Sequence, residues 1–217
     1  MNLTVIGTGY LGAVHAACMA ELGFDVLGVE VDPDRVDALN RAKPPFYEPG
    51  LNELLERVLA TGRLRFTTSF EEAAEFGDVH FLCVGTPQKP GSQAADLSQV
   101  HSAIDMLAPL LHRPTLVVGK STVPVGTAAE LERRLHELAP AGSGVQLAWN
   151  PEFLREGHAI DDTVHPDRLV IGVNSESSEA TLREVYATLL DAGVPLVVTD
   201  FATAELVKVS ANAFLAT

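Results

Sequence analysis

Residues 3–22 read LTVIGTGYLGAVHAACMAEL and pass from an apolar run through a glycine-rich turn into an alanine-rich segment. The run Leu3–Ile6 predicts a buried strand, and Ala13–Leu22 predicts a helix directly after the turn. Three glycines in this turn have the spacing GxGxxG: Gly7, Gly9 and Gly12. A strand before this motif and a helix after it favour a dinucleotide site, whereas the motif without that context would equally fit an ordinary glycine turn.

Each residue of the motif has a role in such a site. Gly7 permits the tight turn, and Gly9 lets backbone N–H groups approach a pyrophosphate at the helix N-terminus. Gly12 allows the helix to pack closely on the strand. Tyr10 and Leu11 complete the loop, so all five residues are predicted to bind the dinucleotide.

Seven further apolar runs alternate with helical stretches along the chain. They are Val26–Val31, Leu64–Thr67, Val79–Val84, Thr115–Val118, Val145–Trp149, Leu169–Val173 and Leu196–Val198. Continuous apolar runs are typical of parallel strands that are buried on both faces. The helical stretches include Ala128–Leu138 and Ser178–Leu190, each with apolar residues on one face. This alternation predicts an α/β fold with a doubly wound, mostly parallel sheet of the Rossmann type.

The last segment, Thr203–Thr217, has helical composition and stays apolar through its final residues. No glycine cap, proline or basic last turn ends it. We therefore expect residues 1–200 to form one Rossmann-like domain and residues 201–217 to begin a long connecting helix. On this interpretation the chain is cut from a longer polypeptide, and a further domain follows. A natural terminus docked in a dimer interface is the alternative.

Charge and cysteine content limit the classes of partner. The 217 residues carry a formal net charge of −14, which argues against nucleic acid because duplex binding depends on basic surfaces. No apolar run approaches the roughly 20 residues that span a bilayer, and the N-terminus lacks the pattern of a signal peptide. The 2 cysteines lack CxxC spacing and lie in apolar segments, which favours buried thiols in the cytoplasm. The 7 histidines form no ligand-like pair on a predicted helix, so we expect no metal site.

Acidic residues stand at and after the end of the second predicted strand. Glu30 has the spacing from the glycine motif at which a carboxylate accepts hydrogen bonds from the adenosine ribose. A carboxylate there repels a 2′-phosphate, so Glu30 predicts NAD rather than NADP, although Arg35 lies nearby and in principle pairs with a phosphate. The alternative is that Glu30 and Asp32 are exposed carboxylates before the helix that Pro33 starts, and Asp32 is the better candidate for its cap.

Two further predicted strands end in turns that carry hydroxyl groups. One strand leads into Gly85-Thr86-Pro87, and another leads through Gly119 into Lys120-Ser121-Thr122. Ligands of open α/β sheets bind beyond the carboxyl ends of the strands. Thr86 and Thr122 are therefore predicted to meet a nicotinamide ribose or a substrate, although threonines are also common in turns without a ligand.

Eight blocks of sequence resemble, in order, the UDP-glucose/GDP-mannose dehydrogenase family and cover almost the whole chain. They are VIGTGYLG (5–12), YEPGL (47–51), GRLRFTT (62–68), VGTP (84–87), KSTVPVGT (120–127), NPEFLREG (150–157), HPDRLVIG (165–172) and AELVKVSANAFLAT (204–217). The YEPGL and GRLRF blocks are more similar to the UDP-glucose branch than to the GDP-mannose or amino-sugar branches. The resemblance implies oxidation of the C6 alcohol of a UDP-sugar to a carboxylate, as in UDP-glucose to UDP-glucuronate. It also implies two NAD per turnover, an aldehyde stage held by a cysteine, and a homodimer at full length.

The resemblance implies a role for each matching residue. Residues implied to contact the cofactor are Leu11, Glu30, Arg35, Gly85, Thr86, Pro87, Ser121, Thr122 and Glu156. Residues implied to bind the substrate are Glu152, Phe153, Leu154, Arg155, Lys208 and Asn212. Residues implied to be catalytic are Thr122, Glu152, Lys208 and Asn212.

Three features depart from the family's pattern. Glu30 replaces the more usual aspartate, which keeps the charge on a longer side chain. His158 and His165 stand where small or amide side chains are usual, and neither has an assigned role. The family's nucleophilic cysteine is absent, and Cys18 in the first helix and Cys83 in a strand are unsuited to replace it.

The implied catalytic residues also suit the chemistry by their own properties. Lys208 and Asn212 are four residues apart, so an ammonium and an amide on one helix face can both donate to a developing oxyanion. The alternative is an exposed lysine with a solvent-facing asparagine. Apolar neighbours, Val207, Val209 and Ala213 among them, favour a buried helix instead.

The two carboxylates of the NPEFLREG block are predicted to act differently. Pro151 is expected to begin a short helical turn, with Glu152 and Glu156 on one side of it. The carboxylate near a lysine would stay ionised or share a proton through water, and the other would accept hydrogen bonds from the cofactor. Thr122 is expected to hold the water that Glu152 activates. Simple acids favoured by a helix N-terminus are the alternative.

Two other classes of protein stay open on the sequence. One is a single-step hydroxyacid dehydrogenase of related Rossmann build, which needs a lysine base but no cysteine. The other is a non-catalytic NAD-binding module. Within the family, a GDP-mannose or UDP-amino-sugar dehydrogenase is the alternative to UDP-glucose oxidation.

Overall fold

A computed structural model describes residues 1–216, so Thr217, the last residue of the predicted connecting helix, lies outside the described residues. The strands are β1 Asn2–Ile6, β2 Asp25–Val29, β3 Leu64–Thr67, β4 Val79–Leu82, β5 Thr115–Gly119, β6 Val145–Trp149, β7 Leu169–Val173 and β8 Leu196–Thr199. They form one 8-stranded sheet in the order β3-β2-β1-β4-β5-β6-β7-β8. The first six strands have the order of a Rossmann sheet, in which the ligand crevice opens where the order reverses, between β1 and β4.

Helices connect most of these strands. Their bounds are α1 Tyr10–Glu21, α2 Pro33–Leu39, α3 Leu51–Ala60, α4 Phe70–Phe76, α5 Ser98–Leu107, α6 Thr127–Leu138, α7 Ala159–Val164, α8 Glu176–Val185, α9 Ala187–Asp191 and α10 Phe201–Leu215. Single 3₁₀ turns lie at Ala108–Leu110 and Gly142–Gly144. Side chains cap several helices: Asp32, Ser69, Ser175 and Asp200 accept hydrogen bonds from the first turns of α2, α4, α8 and α10.

The sheet is parallel at every neighbouring pair except one. β6 and β7 are antiparallel, with Ala148 opposite Val173 and Trp149 opposite Gly172. β7 and β8 are again parallel to each other. The prediction of a mostly parallel sheet is therefore confirmed, and all eight predicted strands are present, three with the predicted bounds and five with ends shifted by one or two residues.

Helices cover both faces of the sheet, as a doubly wound fold requires. One apolar cluster joins the sheet to α1, α3, α8 and α9 and includes Leu3, Met19 and Leu55. The other joins it to α4, α5, α6 and the first turn of α10 and includes Trp149 and Ile104. Burial on both faces explains why the inner strands read as continuous apolar runs and not as alternating ones, whereas the edge strands β3 and β8 are partly exposed.

The predicted helix Ser178–Leu190 is wrong as a single helix. α8 ends at Val185 and α9 begins at Ala187, with Tyr186 between them at φ −98° and ψ 14°. Tyr186 is buried, and its hydroxyl donates to Asn150 Oδ1 at 2.5 Å. Packing of this one side chain into the core takes the backbone out of regular helical geometry, which periodicity alone does not reveal.

The predicted helical turn at Pro151 is also wrong. Residues 151–157 are non-helical, and α7 begins only at Ala159. Side chains take the backbone donors that a helix would use: Leu154 N–H donates to Glu152 Oε2 at 2.6 Å, and Arg155 N–H donates to Asp162 Oδ2 at 2.8 Å. These bonds compete with the i to i−4 pattern and hold the segment open.

The sheet ends with β8 at Thr199, and α10 starts at Phe201. Phe201 and Ala204 are buried against the sheet, so the first turns of α10 pack on the domain. The domain boundary at residue 200 stays a prediction. Among residues 1–216, no helix combines the length and apolar character needed to cross a membrane.

Candidate active site

The glycine loop between β1 and α1 has three glycines with three different environments. Gly7 has φ +86°, a left-handed conformation that favours glycine. A Cβ on Gly12 would lie 1.9 Å from the carbonyl oxygen of Gly7, so only glycine lets α1 pack this closely. Around Gly9 a Cβ would meet nothing within 4 Å. No side chain in residues 1–216 caps the N-terminus of α1 at Gly9, so its free N–H groups face open space and suit a phosphate group.

Glu30 follows β2 and faces the glycine loop. Its side chain accepts hydrogen bonds from Thr8 N–H at 3.3 Å and from Val31 N–H at 2.9 Å. Arg35 pairs with it at 3.2 Å, so the arginine charge is engaged by this carboxylate. Glu30 is 8% exposed, and the alternative of a solvent-exposed carboxylate is therefore wrong for it. Asp32, in contrast, accepts from the N–H groups of Asp34 and Arg35, which confirms it as the helix cap.

A cleft of about 760 Å³ opens beside this loop; we call it the glycine-loop cleft. Its lining includes five of the predicted cofactor residues, namely Gly7, Gly9, Glu30, Arg35 and Gly85. It also includes residues that the sequence did not single out, namely Phe70, Ser98, Gln99, Ser102 and Met106. These belong to α4 and α5, helices that no motif marks as part of a site.

The two predicted threonines lie together at the ends of neighbouring strands. Thr86 Oγ1 donates to the carbonyl oxygen of Thr122 at 2.7 Å, and Ser121 Oγ donates to the carbonyl oxygen of Val84 at 2.7 Å. These bonds join the loop after β4 to the loop after β5. Both threonines are half-buried, and Pro87 is exposed at the start of the following loop.

A second cleft, of about 400 Å³, opens beside the ends of β5 and β6; we call it the lysine cleft. Its lining includes the predicted residues Leu11, Glu152, Phe153, Leu154, Arg155, Lys208 and Asn212. Lys208 Nζ lies 3.1 Å from Glu152 Oε1 and 5.4 Å from the centre of the Phe153 ring. Lys208 is 6% exposed, so the alternative of an exposed lysine is wrong.

Fewer residues of α10 are buried than expected. Its buried residues are Phe201, Ala204, Glu205 and Lys208, whereas Val209 and Ala213 are exposed. The expectation of a buried helix is therefore wrong for its second half, which extends past the helices and loops that cover the first turns. Asn212 is exposed but lines the same cleft as Lys208, in agreement with their predicted common face.

The remaining residues of the NPEFLREG block are not brought together as expected. Glu156 is exposed and is not held beside Glu152, because the segment is not helical. Arg155 forms two hydrogen bonds to Asp162, from Nε at 3.0 Å and from Nη2 at 2.6 Å. Its guanidinium is thus already paired with a carboxylate at the rim of the lysine cleft.

A buried polar network behind the lysine cleft was not predicted. Lys120 Nζ donates to Asn150 Oδ1 at 2.9 Å, the same oxygen that accepts from Tyr186. Asn150 Nδ2 in turn donates to the carbonyl oxygen of Val170 at 2.8 Å. Burial lowers the pKa of Lys120. The network fixes the residue that precedes Pro151 and Glu152, and the only sequence signal was a lysine directly after an apolar strand.

Glu205 is a second unpredicted residue that positions the site. Its carboxylate accepts from Gly126 N–H at 2.7 Å and from Ala128 N–H at 2.6 Å, at the N-terminus of α6. Burial raises its pKa, although these backbone bonds oppose the shift. Glu205 lies one turn before Lys208, so it joins the lysine helix to the loop that follows Thr122.

Neither cysteine has the surroundings of a nucleophile. Burial raises the pKa of Cys18 to about 12 and that of Cys83 to about 12. Both thiols are buried. Since the thiolate is the reactive form, both are inert near neutral pH. Within residues 1–216, no cluster of three His, Cys, Asp or Glu side chains could hold a metal ion.

The sheet order, the open helix N-terminus and the carboxylate after β2 define the class of protein as a Rossmann domain that binds a dinucleotide. The family model described as "UDP-glucose/GDP-mannose dehydrogenase family, NAD binding domain" matches residues 1–190. The chain belongs to this family, and its cofactor is NAD.

Known relatives span about twice the length of this chain. The UDP-glucose 6-dehydrogenase of Rhizobium meliloti is 46% identical over 218 residues, which cover 100% of this chain and 50% of the relative. That of Bacillus subtilis is 42% identical over 100% of this chain and 48% of the relative. The chain therefore spans about half the length of the curated relatives it matches.

Solved structures agree with this assignment. The UDP-glucose dehydrogenase of Pyrobaculum islandicum has a TM-score of 0.93 and 43% identity, over 99% of this chain and 50% of that chain. The GDP-mannose dehydrogenase of Pseudomonas aeruginosa has a TM-score of 0.94 and 34% identity, over 100% of this chain and 50% of that chain. The fold is thus shared across branches of the family that are named for different sugars.

Proposed function

We propose that this chain is the cofactor-binding half of an enzyme that oxidises UDP-glucose at C6 to UDP-glucuronate, with two NAD per turnover. The observation that carries the proposal is the ion pair of buried Lys208 with half-buried Glu152, 3.1 Å apart, beside the glycine loop. Relatives named UDP-glucose 6-dehydrogenases support this sugar at 46% and 42% identity. The GDP-mannose and UDP-N-acetyl-mannosamine enzymes are less similar, at 34% and 29% identity.

The glycine-loop cleft suits NAD. Bound NAD supplies a hydride acceptor. The free N–H groups at the start of α1 bind its pyrophosphate, and Glu30 accepts hydrogen bonds from the adenosine ribose. Gly9 lines the glycine-loop cleft while Leu11 lines the lysine cleft, so the two clefts meet across this loop. A sugar in the lysine cleft therefore lies next to the cofactor.

The lysine cleft supplies the acid–base groups. Lys208 stabilises the negative charge that develops on the C6 oxygen, and Asn212 donates a second hydrogen bond to it. Glu152, held by Lys208, accepts the hydroxyl proton through water. In a later hydrolytic step Glu152 takes the proton of a water that Thr122 positions.

The second oxidation requires a thiol that the described residues do not provide. Four electrons leave one carbon, and a cysteine-bound hemithioacetal must form before the second hydride leaves to give a thioester. Cys18 and Cys83 are buried with raised pKa values, so neither fills this role. The proposal therefore includes a cysteine in a further domain, together with a cytoplasmic location and a homodimer for the whole enzyme.

The stoichiometry of NADH formation tests the proposal. The full-length polypeptide that it implies is offered UDP-glucose, GDP-mannose and UDP-N-acetyl-mannosamine in turn, with NAD in excess. Two NADH per UDP-glucose, and little from the other sugars, is expected. One NADH per sugar would indicate a single-step dehydrogenase, and NAD binding without NADH from any sugar would indicate a non-catalytic module.

A further inference from the structure

A buried carboxylate with no cationic partner lies between the glycine loop and the segment that carries Glu152. Glu48 is 2% exposed, and no lysine or arginine among the described residues pairs with it. It belongs to the loop between α2 and α3, which the sequence marked only as part of the YEPGL block. An unpaired buried carboxylate is costly, so the groups that surround Glu48 must stabilise its charge.

Three hydrogen-bond donors from two other segments surround Glu48. Its Oε1 accepts from Ala159 N–H at 2.8 Å, and its Oε2 accepts from Gly157 N–H at 2.9 Å. The hydroxyl of Tyr10 donates to the same Oε2 and lies 3.4 Å from Gly157 N. A single carboxylate therefore joins the start of α1 to the residues just before and at the start of α7.

Tyr10 is suited to transmit a change in the glycine loop. It is the first residue of α1 and directly follows Gly9, so it moves with the N–H groups that bind the pyrophosphate. Its ring packs edge-on against Phe46, with centroids 5.4 Å apart. Burial, followed by the hydrogen bond to Glu48, raises the pKa of Tyr10 to about 12, so its hydroxyl stays protonated and remains a donor near neutral pH.

The other end of this connection belongs to the substrate side. Gly157 lies near the end of the non-helical segment that begins after β6 and contains Glu152. Asn150 and its buried partners fix the start of this segment, and Glu48 fixes its end. A change in the Glu48 bonds therefore alters the segment between these two points.

We propose that Tyr10 and Glu48 are positioning residues that couple the dinucleotide loop to residues 150–159, so that NAD at α1 orders the segment that carries Glu152. The coupling rests on the proposed function because it assumes that NAD binds at the glycine loop. A purely structural role would stabilise the segment equally with and without NAD. Coupling instead requires that NAD binding further stabilises residues 150–159, and that this added stability is lost when the Tyr10 hydroxyl is removed.

Amide hydrogen exchange of this chain separates these two roles. Exchange is followed by mass spectrometry in peptides covering 5–14 and 154–160, without NAD and with NAD at a concentration that saturates each variant. In the wild-type chain NAD is expected to slow exchange in both peptides. The slowing in 154–160 should be about three- to tenfold, the change in an opening equilibrium that corresponds to roughly one hydrogen bond.

Tyr10→Phe keeps the ring and removes the hydroxyl. With saturating NAD its 5–14 peptide should still be protected, whereas the extra protection of 154–160 should be lost. Glu48→Gln should lose it as well and provides a second variant if the first folds poorly. Tyr47→Phe is the matched control, because Tyr47 is 82% exposed beside Glu48, and it should behave as the wild type.

Two results overturn the coupling and differ from a failure of the proposed function. Protection of 5–14 without any effect on 154–160 in the wild type would show that the loop is not connected to the segment. The same NAD-dependent slowing in Tyr10→Phe, Glu48→Gln and wild type would show that these residues have only a structural role. Absence of protection even in 5–14 would mean that NAD does not bind there, which overturns the proposed function and the coupling with it.

Discussion

The glycine-loop cleft and the lysine cleft are built in different ways. Where the first cleft meets the glycine loop it is formed by backbone and glycines, side chains of α4 and α5 also line it, and its charged groups are Glu30, Asp32 and Arg35. The second is formed by side chains from distant parts of the chain, and it contains two ion pairs, Lys208 with Glu152 and Arg155 with Asp162. The first suits a ligand that is bound by N–H groups and shape. The second suits a substrate that is held by charged side chains.

Because of this difference, the two clefts should tolerate different substitutions. A backbone-built site fails when a side chain intrudes on it, even a methyl group. A side-chain site fails when one member of a charged pair is removed, because its partner is left buried and unpaired. Substitutions in the two clefts should therefore produce different losses.

The largest effect is expected in the lysine cleft. In the full-length enzyme, Lys208→Ala should lower the rate of oxidation roughly 10²–10³-fold, because one donor to the developing oxyanion is lost. Glu152→Gln should slow oxidation less than thioester hydrolysis, because the hydroxyl proton can still leave through water, whereas an amide cannot take the proton of the attacking water. Mass spectrometry should detect a covalent adduct that accumulates in Glu152→Gln and not in Lys208→Ala. The reverse pattern would show that the two roles are exchanged.

Two glycines of one motif should respond in opposite ways to the same added methyl group. Gly12→Ala places a Cβ 1.9 Å from Gly7 O, so it should destabilise the fold by about 1–3 kcal/mol or more. Gly9→Ala has free space around its Cβ, so it should keep the stability of the wild type but weaken NAD binding. Urea unfolding measures the stability of each variant, and calorimetric titration measures its affinity for NAD. Equal stability losses in both variants would contradict the separate roles of these glycines.

Glu30 should determine which dinucleotide binds. The wild-type chain is expected to bind NAD more tightly than NADP, and Glu30→Ala should reduce this preference by about tenfold or more, as expected for loss of hydrogen bonds to a charged group. Isothermal titration with each dinucleotide measures the two affinities and so the preference. Asp37→Ala is the control, since Asp37 is exposed on α2 outside the glycine-loop cleft and should leave the preference unchanged. Equal or tighter binding of NADP by the wild type would refute the role of Glu30.

A smaller effect is expected from His15, which lines the lysine cleft from its buried side. Burial, together with the nearby Lys120 charge, holds the pKa of His15 well below 6.5. The unfolded chain therefore binds a proton near pH 6.5 that the folded chain does not. The stability that His15 contributes is fully present above pH 6.5 and is lost as the pH falls toward its folded pKa.

Lowering the pH from 7 to 5.5 should thus cost about 1 kcal/mol of unfolding free energy through His15. Urea unfolding at the two pH values measures the change, and His15→Gln should reduce it. His101→Gln is the control, because the His101 ring is partly exposed. An identical pH dependence in His15→Gln and wild type would show that His15 titrates normally in the folded chain.

The sequence predicted the features that depend on local pattern. Six strands were found because strands buried on both faces are continuously apolar, as in Val79–Leu82, and the edge strands β3 and β8 were found from short apolar runs although they are partly exposed. The glycine loop was found because its spacing, its strand and its helix are contiguous. Lys208 and Asn212 were placed on one face correctly, since that depends only on helical periodicity.

The missed features depend on packing between distant residues. Glu48 and Glu205 had no role assigned from the sequence, and only the folded chain brings backbone N–H groups of α7 and α6 to them. The break at Tyr186 accompanies a hydrogen bond to Asn150, which is far away in the sequence. The segment after Pro151 stays non-helical because the Glu152 side chain takes a backbone donor that a helix would use. No periodicity or motif spacing contains that information.

The antiparallel pairing of β6 with β7 turns the chain around before its last helix. Because β8 is parallel to β7, it too runs opposite to β6, and it ends with Thr199 beside Gly172, which lies opposite Trp149 at the end of β6. The helix that follows therefore starts at this edge and runs beyond it, and at 1.5 Å per residue it covers about 12 Å between Asp200 and Lys208. This direction brings the lysine to Glu152, just beyond the end of β6. If all eight strands ran in one direction, a helix after the last strand would run back along the sheet and carry its lysine away from Glu152. The acid–base pair therefore depends on the direction of two strands to which neither residue belongs.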